Sequence, residues 1–354
     1  MSTPPSPPDP ASFERAKTAF FEGLAHLQAG RYAEAERAFE ASLQHVSGRV
    51  STLINLAATR LALDRPLDAI ATADQVLAVE PDNEDALLHR RSALGRLVER
   101  ADLLRDSGRL DEARGLYRQA LACGADRELI GYCLAGLGDA EAPPRSPASY
   151  VQALFDAYAG DFDQHLVGVL RYRVPEGLAG PLAGLHPAPF RSALDLGCGT
   201  GLCGPLVRPL VQRLEGLDLS PRILEQARAR GVYDALHEGE IVEHLTGLAA
   251  RGQQHDLVLA ADVFIYVGDL EPVFAALARV VPAGGVFCFS AETDGAREAD
   301  GFTLLPSLRY AHHEDHLRRL AERHGFEPAR IARETVREEQ RRPIEGLIVH
   351  LRRG

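Results

Sequence analysis

The stretch Ala193-Leu-Asp-Leu-Gly-Cys-Gly-Thr-Gly201 sets one carboxylate beside three closely spaced glycines. A residue without a Cβ lets the backbone turn sharply and lie directly against a bound molecule, so Gly197, Gly199 and Gly201 read as a ligand-binding loop. Asp195 ends the short apolar run before that loop. A second apolar stretch, Leu214-Glu-Gly-Leu-Asp-Leu-Ser220, ends in Asp218. This is about twenty residues beyond the glycines, the distance at which an acid reaches the hydroxyl pair of a ribose. The chemistry predicted is recognition of a nucleoside-bearing ligand. Leu202 stands where the dinucleotide pattern GxGxxG needs its third glycine, so that pattern does not fit.

Such a loop must be held by parallel strands, because sheets of this class bind ligands outside the carboxyl ends of their strands. Residues 221–230 read as the next helix, with Ser220 as N-cap and Pro221 at the first position. The apolar run within residues 255–266 reads as a central strand and leads into Ala261-Asp262. Residues 280–290 give a Pro-x-Gly-Gly turn and another apolar strand. Residues 331–338 and 344–351 are expected as the last two strands, the final hairpin adding an antiparallel member to the sheet.

The motifs, in this order, resemble the class I S-adenosylmethionine-dependent methyltransferases over residues 150–354. That family opens with an acid followed by GxGxG, matched by Asp195, Gly197, Gly199 and Gly201, and its ribose-binding acid matches Asp218. The resemblance implies S-adenosyl-L-methionine as cofactor, with further contacts from Cys198, Leu219 and Ala261. Glu240 stands where the family has a shorter Asp near the adenine amino group, and Ile241 where an apolar residue packs on the ring. Asp262 and Tyr266 would lie beside the methyl group as catalytic candidates. Residues 150–170 contain Phe155-Asp-Ala-Tyr158 and Phe162-Asp-Gln-His165, similar to a segment that covers the cofactor in small-molecule methyltransferases. On that resemblance Tyr158, Phe162 and His165 belong to a lid; the alternative is that these aromatics are ordinary core.

The segment 301–312 reads as an insertion on the substrate side. Arg309, Tyr310 and His312 are candidates to bind an anionic or hydroxyl-bearing acceptor or to take a proton. His312, His313 and His316 lack the further His or Cys that would complete a metal set, so no metal is expected and exposed imidazoles at a helix start are.

Before residue 138 the chain changes character. Residues 12–137 are rich in Ala, Leu, Arg and Glu, with apolar spacing near the helical period. The turns Gly30-Arg-Tyr32, Asp64-Arg-Pro66 and Gly108-Arg-Leu110 align. Small residues then recur at Gly23, Ala57 and Ala101 and at Ala35, Ala69 and Ala113. The interval from Ala35 to Ala69 is the 34-residue period of the tetratricopeptide family, which these residues resemble. The next interval is about ten residues too long for that period, which predicts an elongated helix over residues 84–107. Residues 127–137 are expected as a solvated capping helix.

The 354 residues carry a net charge of -11, which argues against a partner recognised through a nucleic acid backbone. Lys17 is the only lysine, so positive charge is almost all guanidinium. Five scattered cysteines without CxxC pairs suit neither a disulfide framework nor a zinc site and point to a cytoplasmic protein. No run has the roughly 18 apolar residues of a membrane span.

The expected architecture is an N-terminal all-α tetratricopeptide-like helical repeat domain and a C-terminal α/β domain. The latter is expected as a Rossmann-like, seven-stranded mixed sheet of the class I methyltransferase type. The divisions are a disordered leader at 1–11, the repeats at 12–137, a linker at 138–148 and the methyltransferase domain at 149–354. The expected reaction is methyl transfer to a small molecule. Alternatives are a protein methyltransferase, or a repeat adaptor whose second domain binds cofactor without turnover. Partners would be the methyl acceptor and a peptide or protein in the repeat groove.

Overall fold

The computed structural model describes residues 9–158, 172–186, 189–293, 301–339 and 342–354. Two compact units divide the chain, residues 1–130 and 131–354. No helix among the described residues is long and apolar enough to cross a membrane.

The first unit stacks α1 (Pro10–Gln28), α2 (Tyr32–His45), α3 (Val50–Ala62), α4 (Pro66–Leu77), α5 (Glu84–Asp106) and α6 (Leu110–Ala122). Asp9 caps α1 by accepting the Ala11 and Ser12 amides, so helix begins within the stretch expected as leader. The three aligned turns adopt one conformation: Gly30, Asp64 and Gly108 have φ of 72°, 56° and 81°. An aspartate tolerates this left-handed geometry better than most residues with a Cβ. The aligned small positions are the seams between helices. Ala35, Ala57, Ala69, Ala101 and Ala113 are all fully buried, and a Cβ on Gly23 would lie 2.5 Å from the Phe39 ring. The long α5 takes up the extra residues of the second interval.

The last helix of this run, α7 (Arg127–Gly136), corrects the expectation of a solvated cap. Tyr132, Cys133 and Leu134 are buried. Within the second unit the Tyr132 hydroxyl donates to the Leu308 carbonyl at 2.6 Å and shares a hydrogen bond with Ser146 at 2.7 Å. The segment 138–148 is likewise bonded in: the Gly268 and Asp269 amides donate to the Pro144 carbonyl, and the Ser146 amide to the Tyr266 carbonyl.

The second unit continues with helices α8 (Ala148–Tyr158), α9 (Val174–Ala179), α10 (Leu182–Leu185), α11 (Gly204–Val207), α12 (Pro221–Ala229), α13 (Ile241–Ala250), α14 (Glu271–Val280) and α15 (Glu314–Arg323). They cover a sheet made of β1 (Phe190–Leu196), β2 (Val211–Asp218), β3 (Ala235–Glu238), β4 (Leu257–Ala260), β5 (Val286–Glu292), β6 (Phe302–Leu304), β7 (Tyr310–His312), β8 (Phe326–Glu339) and β9 (Arg342–Arg353). Strands β3, β2, β1, β4 and β5 are parallel neighbours in that order. Strand β9 runs antiparallel to β5 along the whole length of β5, and β8 antiparallel to β9. β8 therefore points the same way as β5. Every residue of β5 is buried, as a strand covered on both faces requires. One face packs around Phe264, Phe274, Phe287 and Phe289, the other around Leu178, Leu214, Leu257 and Ile348.

Among the described residues the sheet has nine strands where seven were expected. The added pair, β6 and β7, comes from the insertion at 301–312. Strand β4 stops at Ala260, pairing β5 only as far as Phe289, which leaves the end of β5 open on that side. Glu292 there pairs Ala311 of β7 in parallel, and β6 closes antiparallel on β7.

Candidate active site

The strand order reverses between β1 and β4, since the chain builds outward one way through β2 and β3 and the other way through β4 and β5. Ligands of open α/β sheets bind at such a switch point, outside the carboxyl ends. The glycine loop lies there. Gly197, Gly199 and Gly201 have φ of 61°, 55° and 89°, a region that favours glycine. They differ in surroundings. A Cβ on Gly197 would lie 2.6 Å from Val263, whereas one on Gly199 meets nothing within 4 Å. The backbone at Gly199 is therefore open to a ligand.

The two strand-terminal acids hold this loop. Asp218, 8% exposed, accepts the Gly199 amide at 2.9 Å on one oxygen and the Ser220 amide at 3.0 Å on the other. Each oxygen keeps a lone pair for a further donor. Burial raises its pKa, against the lowering effect of those amides. Asp195 is 1% exposed; one oxygen accepts the Tyr233 hydroxyl at 2.7 Å and the other is buried without a partner. Burial pushes its pKa up to about 7; the Tyr233 hydrogen bond works against this and the charge of Asp218 adds to it.

The remaining cofactor-side candidates divide. Leu219 is half-buried beside Asp218. Cys198 is on the loop, but its side chain packs with Leu224 and Ala227 and burial pushes its thiol up. Glu240 caps α13 by accepting the Glu243 amide at 2.9 Å and pairs with Arg145 at 3.1 Å, so its carboxylate is engaged within the protein. Ile241 opens α13, half-buried against the core. Ala261 is partly buried at the end of β4.

On the acceptor side, Asp262 adopts φ 59°. Its amide donates to the Ser290 hydroxyl at 2.8 Å, and both its oxygens lie 3.0 Å from Nη1 of Arg337. The same guanidinium contacts Glu292. Tyr266 lies in a 3-10 turn, its hydroxyl pushed up to about 12 by burial, with Arg309 close enough to act in the opposite direction.

Two catalytic or substrate candidates are corrected. His312 is fully buried in β7, its ring N–H donating to the Phe264 carbonyl at 2.9 Å. Burial lowers its pKa to about 4, so the imidazole stays neutral and structural. Tyr310 is also fully buried, its hydroxyl donating to the Pro143 carbonyl at 2.8 Å. Both point inward because the insertion forms a hairpin rather than an open loop. Phe162 and His165 lie outside the described residues, as does the side chain of Tyr158 at the end of α8.

A family model described as a methyltransferase domain matches residues 194–289, and one described as a tetratricopeptide repeat matches residues 26–92. The methyltransferase-domain match lies wholly within the second unit. Similar proteins include methyltransferase-like protein 27 of Homo sapiens, 44% identical over 85 residues that cover 23% of this chain and 34% of the relative. Malonyl-(acyl-carrier protein) O-methyltransferase of Serratia marcescens is 30% identical over 175 residues, 46% of this chain and 65% of that one. The chain thus spans less than two thirds of the length of either relative. A crystal structure of the N-methyltransferase NodS from Bradyrhizobium japonicum, in complex with S-adenosyl-L-homocysteine, matches with a TM-score of 0.44 and 15% identity, covering 57% of this chain and 97% of that one.

S-adenosylmethionine, the cofactor of such domains, fits the residues present. The open face at Gly199 is a cradle that a Cβ would fill, and the unpartnered Asp195 oxygen calls for a donor such as an amine. The second unit also contains groups that sequence reasoning missed: Tyr233, Glu292 and Arg337. Glu292 had a signal, a charged residue closing an apolar strand. Arg337 had none, because a register shift between Thr335 and Arg337 turns it inward.

Proposed function

We propose that this protein transfers a methyl group from S-adenosylmethionine to a small-molecule acceptor, while the repeat region makes protein contacts. The observation that carries this reading is the unit formed by Gly199 and Asp218 at the switch point, within the stretch that matches the methyltransferase model. When bound, the cofactor supplies a methyl group on a sulfonium. Asp218 presents acceptors for a ribose diol, Asp195 an acceptor for an amine, and the Gly199 backbone a surface for close approach. Methyl transfer dissipates charge, so alignment and exclusion of water do most of the work. Asp262 and Tyr266 are read as the groups that border and orient the acceptor.

The partner of the repeats is read as a peptide or protein. A cavity of about 380 Å³ among α2, α3 and α4, lined by Glu40, Leu43, Leu56, Arg60, Thr72 and Gln75, supports that reading. A cytoplasmic location is supported by the five cysteines, none of which forms a disulfide among the described residues.

A melting experiment with the full chain tests the reaction class. At a hundred times its dissociation constant, S-adenosylmethionine adds about 2.7 kcal/mol to stability. Release of labelled methyl to a panel of hydroxyl, amine and carboxylate acceptors then tests turnover. A melting temperature unmoved by the cofactor and its demethylated product contradicts the reading.

A further inference from the structure

The most unusual cluster in the second unit is the buried contact of Asp262, Arg337 and Glu292. The guanidinium reaches both oxygens of Asp262 at 3.0 Å and contacts Glu292, with side-chain exposures of 1% for Arg337, 4% for Glu292 and 17% for Asp262. Ionised, the three leave one negative charge in excess. All three stand at the same edge of the sheet, since β4, β5 and β8 point the same way. Two departures from regular backbone build the contact: the bulge before Arg337 and the left-handed conformation of Asp262. The Ser290 hydroxyl holds the second in place.

Buried ion clusters are poor stabilisers, because desolvation offsets attraction and an apolar replacement of equal volume often serves as well. A cluster that also needs a bulge and a left-handed turn to bring its members together calls for a role beyond stability. Its place supplies one. Asp262, the most exposed member, follows directly on β4 and so borders the cofactor crevice between β1 and β4. Tyr172 lies close enough to both Asp195 and Asp262 to feel the charge of each, which links the cluster to the glycine-loop side. Tyr266, held protonated by burial, also feels Asp262 and Arg337, and Arg309 of the insertion acts on the same hydroxyl.

We infer that the Asp262–Arg337–Glu292 cluster is a fixed negative charge that favours the cationic sulfonium form of the cofactor over the neutral thioether left after transfer. The inference rests on the methyltransferase reading and deepens it. A charge fixed by Arg337 needs no reorganisation when the sulfonium arrives. Once the methyl group leaves, the attraction is gone while the ribose and amine contacts remain. The product is then held less tightly relative to substrate than those contacts alone dictate.

Calorimetric titration of the full chain with three probes tests this: S-adenosylmethionine, S-adenosylhomocysteine, and sinefungin, in which an ammonium-bearing carbon replaces the sulfonium. Glu292→Gln keeps the shape and removes the excess charge. The expected result is about a tenfold fall in the preference for S-adenosylmethionine over S-adenosylhomocysteine, with sinefungin weakened in parallel and the thioether bound as in the wild type. The double variant Glu292→Gln/Arg337→Met restores a net negative charge through Asp262 and is expected to recover the preference. An unchanged preference in Glu292→Gln, or equal weakening of all three probes, overturns the inference while leaving the methyltransferase reading intact. Failure of the wild type to bind any probe overturns both.

Discussion

The acid that ends β2 holds the loop that ends β1: Asp218 accepts the Gly199 amide at 2.9 Å. The group expected to bind the ribose is therefore also a brace for the backbone expected to approach it. Asp218→Ala removes a charged acceptor worth about 1.5 to 3 kcal/mol and leaves the Gly199 amide without its partner. Calorimetry is expected to show cofactor affinity reduced by one to two orders of magnitude, accompanied by a lower melting temperature. Unchanged affinity contradicts the assignment.

The glycines of the loop are predicted to fail in different ways. Gly197→Val forces a Cβ to within 2.6 Å of Val263, so the variant is expected to lose stability. A Cβ on Gly199 meets no protein atom within 4 Å, so Gly199→Val bears only the strain of its φ of 55°; it is expected to melt above Gly197→Val yet bind no cofactor. Paired melting and binding measurements separate the two, and binding by Gly199→Val would show that the loop is only a turn.

Asp195 predicts a pH dependence. Its pKa is raised from 3.8 to about 7 in the folded state, so between those values the folded chain holds a proton that the unfolded chain has released. Stability from this group is present at low pH and falls as pH rises through that window, by on the order of 3 kcal/mol. Asp195→Asn is expected to lack this slope when denaturant midpoints of the two proteins are compared from pH 4 to 7. A cofactor amine placed against the free oxygen also favours the charged carboxylate. Binding near pH 6 is then expected to release a proton, read as a buffer-dependent calorimetric enthalpy.

The division of the chain predicts where it can be cut. The compact second unit begins at Gly131, and the buried Tyr132 hydroxyl bonds to Leu308 and Ser146 within it. A fragment of residues 127–354 is expected to be soluble and to bind cofactor. One of residues 149–354 loses those bonds and the Pro144 contacts to Gly268 and Asp269, and is expected to melt several degrees lower. Equal melting temperatures contradict this boundary.

Local patterns carried the glycine loop, Asp218, the aligned turns and the small-residue seams, because each follows from one stretch of chain and its own backbone needs. What escaped was set by distant partners. His312 and Tyr310 look like surface chemistry in sequence, but pairing at Glu292 folds their segment inward over the end of β4. Arg337 belongs to an alternating strand whose register shift no residue type announces. The brace between Asp218 and Gly199 spans two strands, and the partner of Asp195, Tyr233, comes from the loop before β3. Helix α7 was misjudged because the partner of its Tyr132 hydroxyl lies far along the chain, at the Leu308 carbonyl.

The central claim is that the ends of β1 and β2 form one site for S-adenosylmethionine. Calorimetric titration of the full-length protein tests it most directly. The account predicts saturable binding at a single site, retained by His312→Gln if that variant folds, sharply weakened in Asp218→Ala and absent in folded Gly199→Val. No heat of binding in the wild type, or full affinity in both loop-site variants, would contradict it.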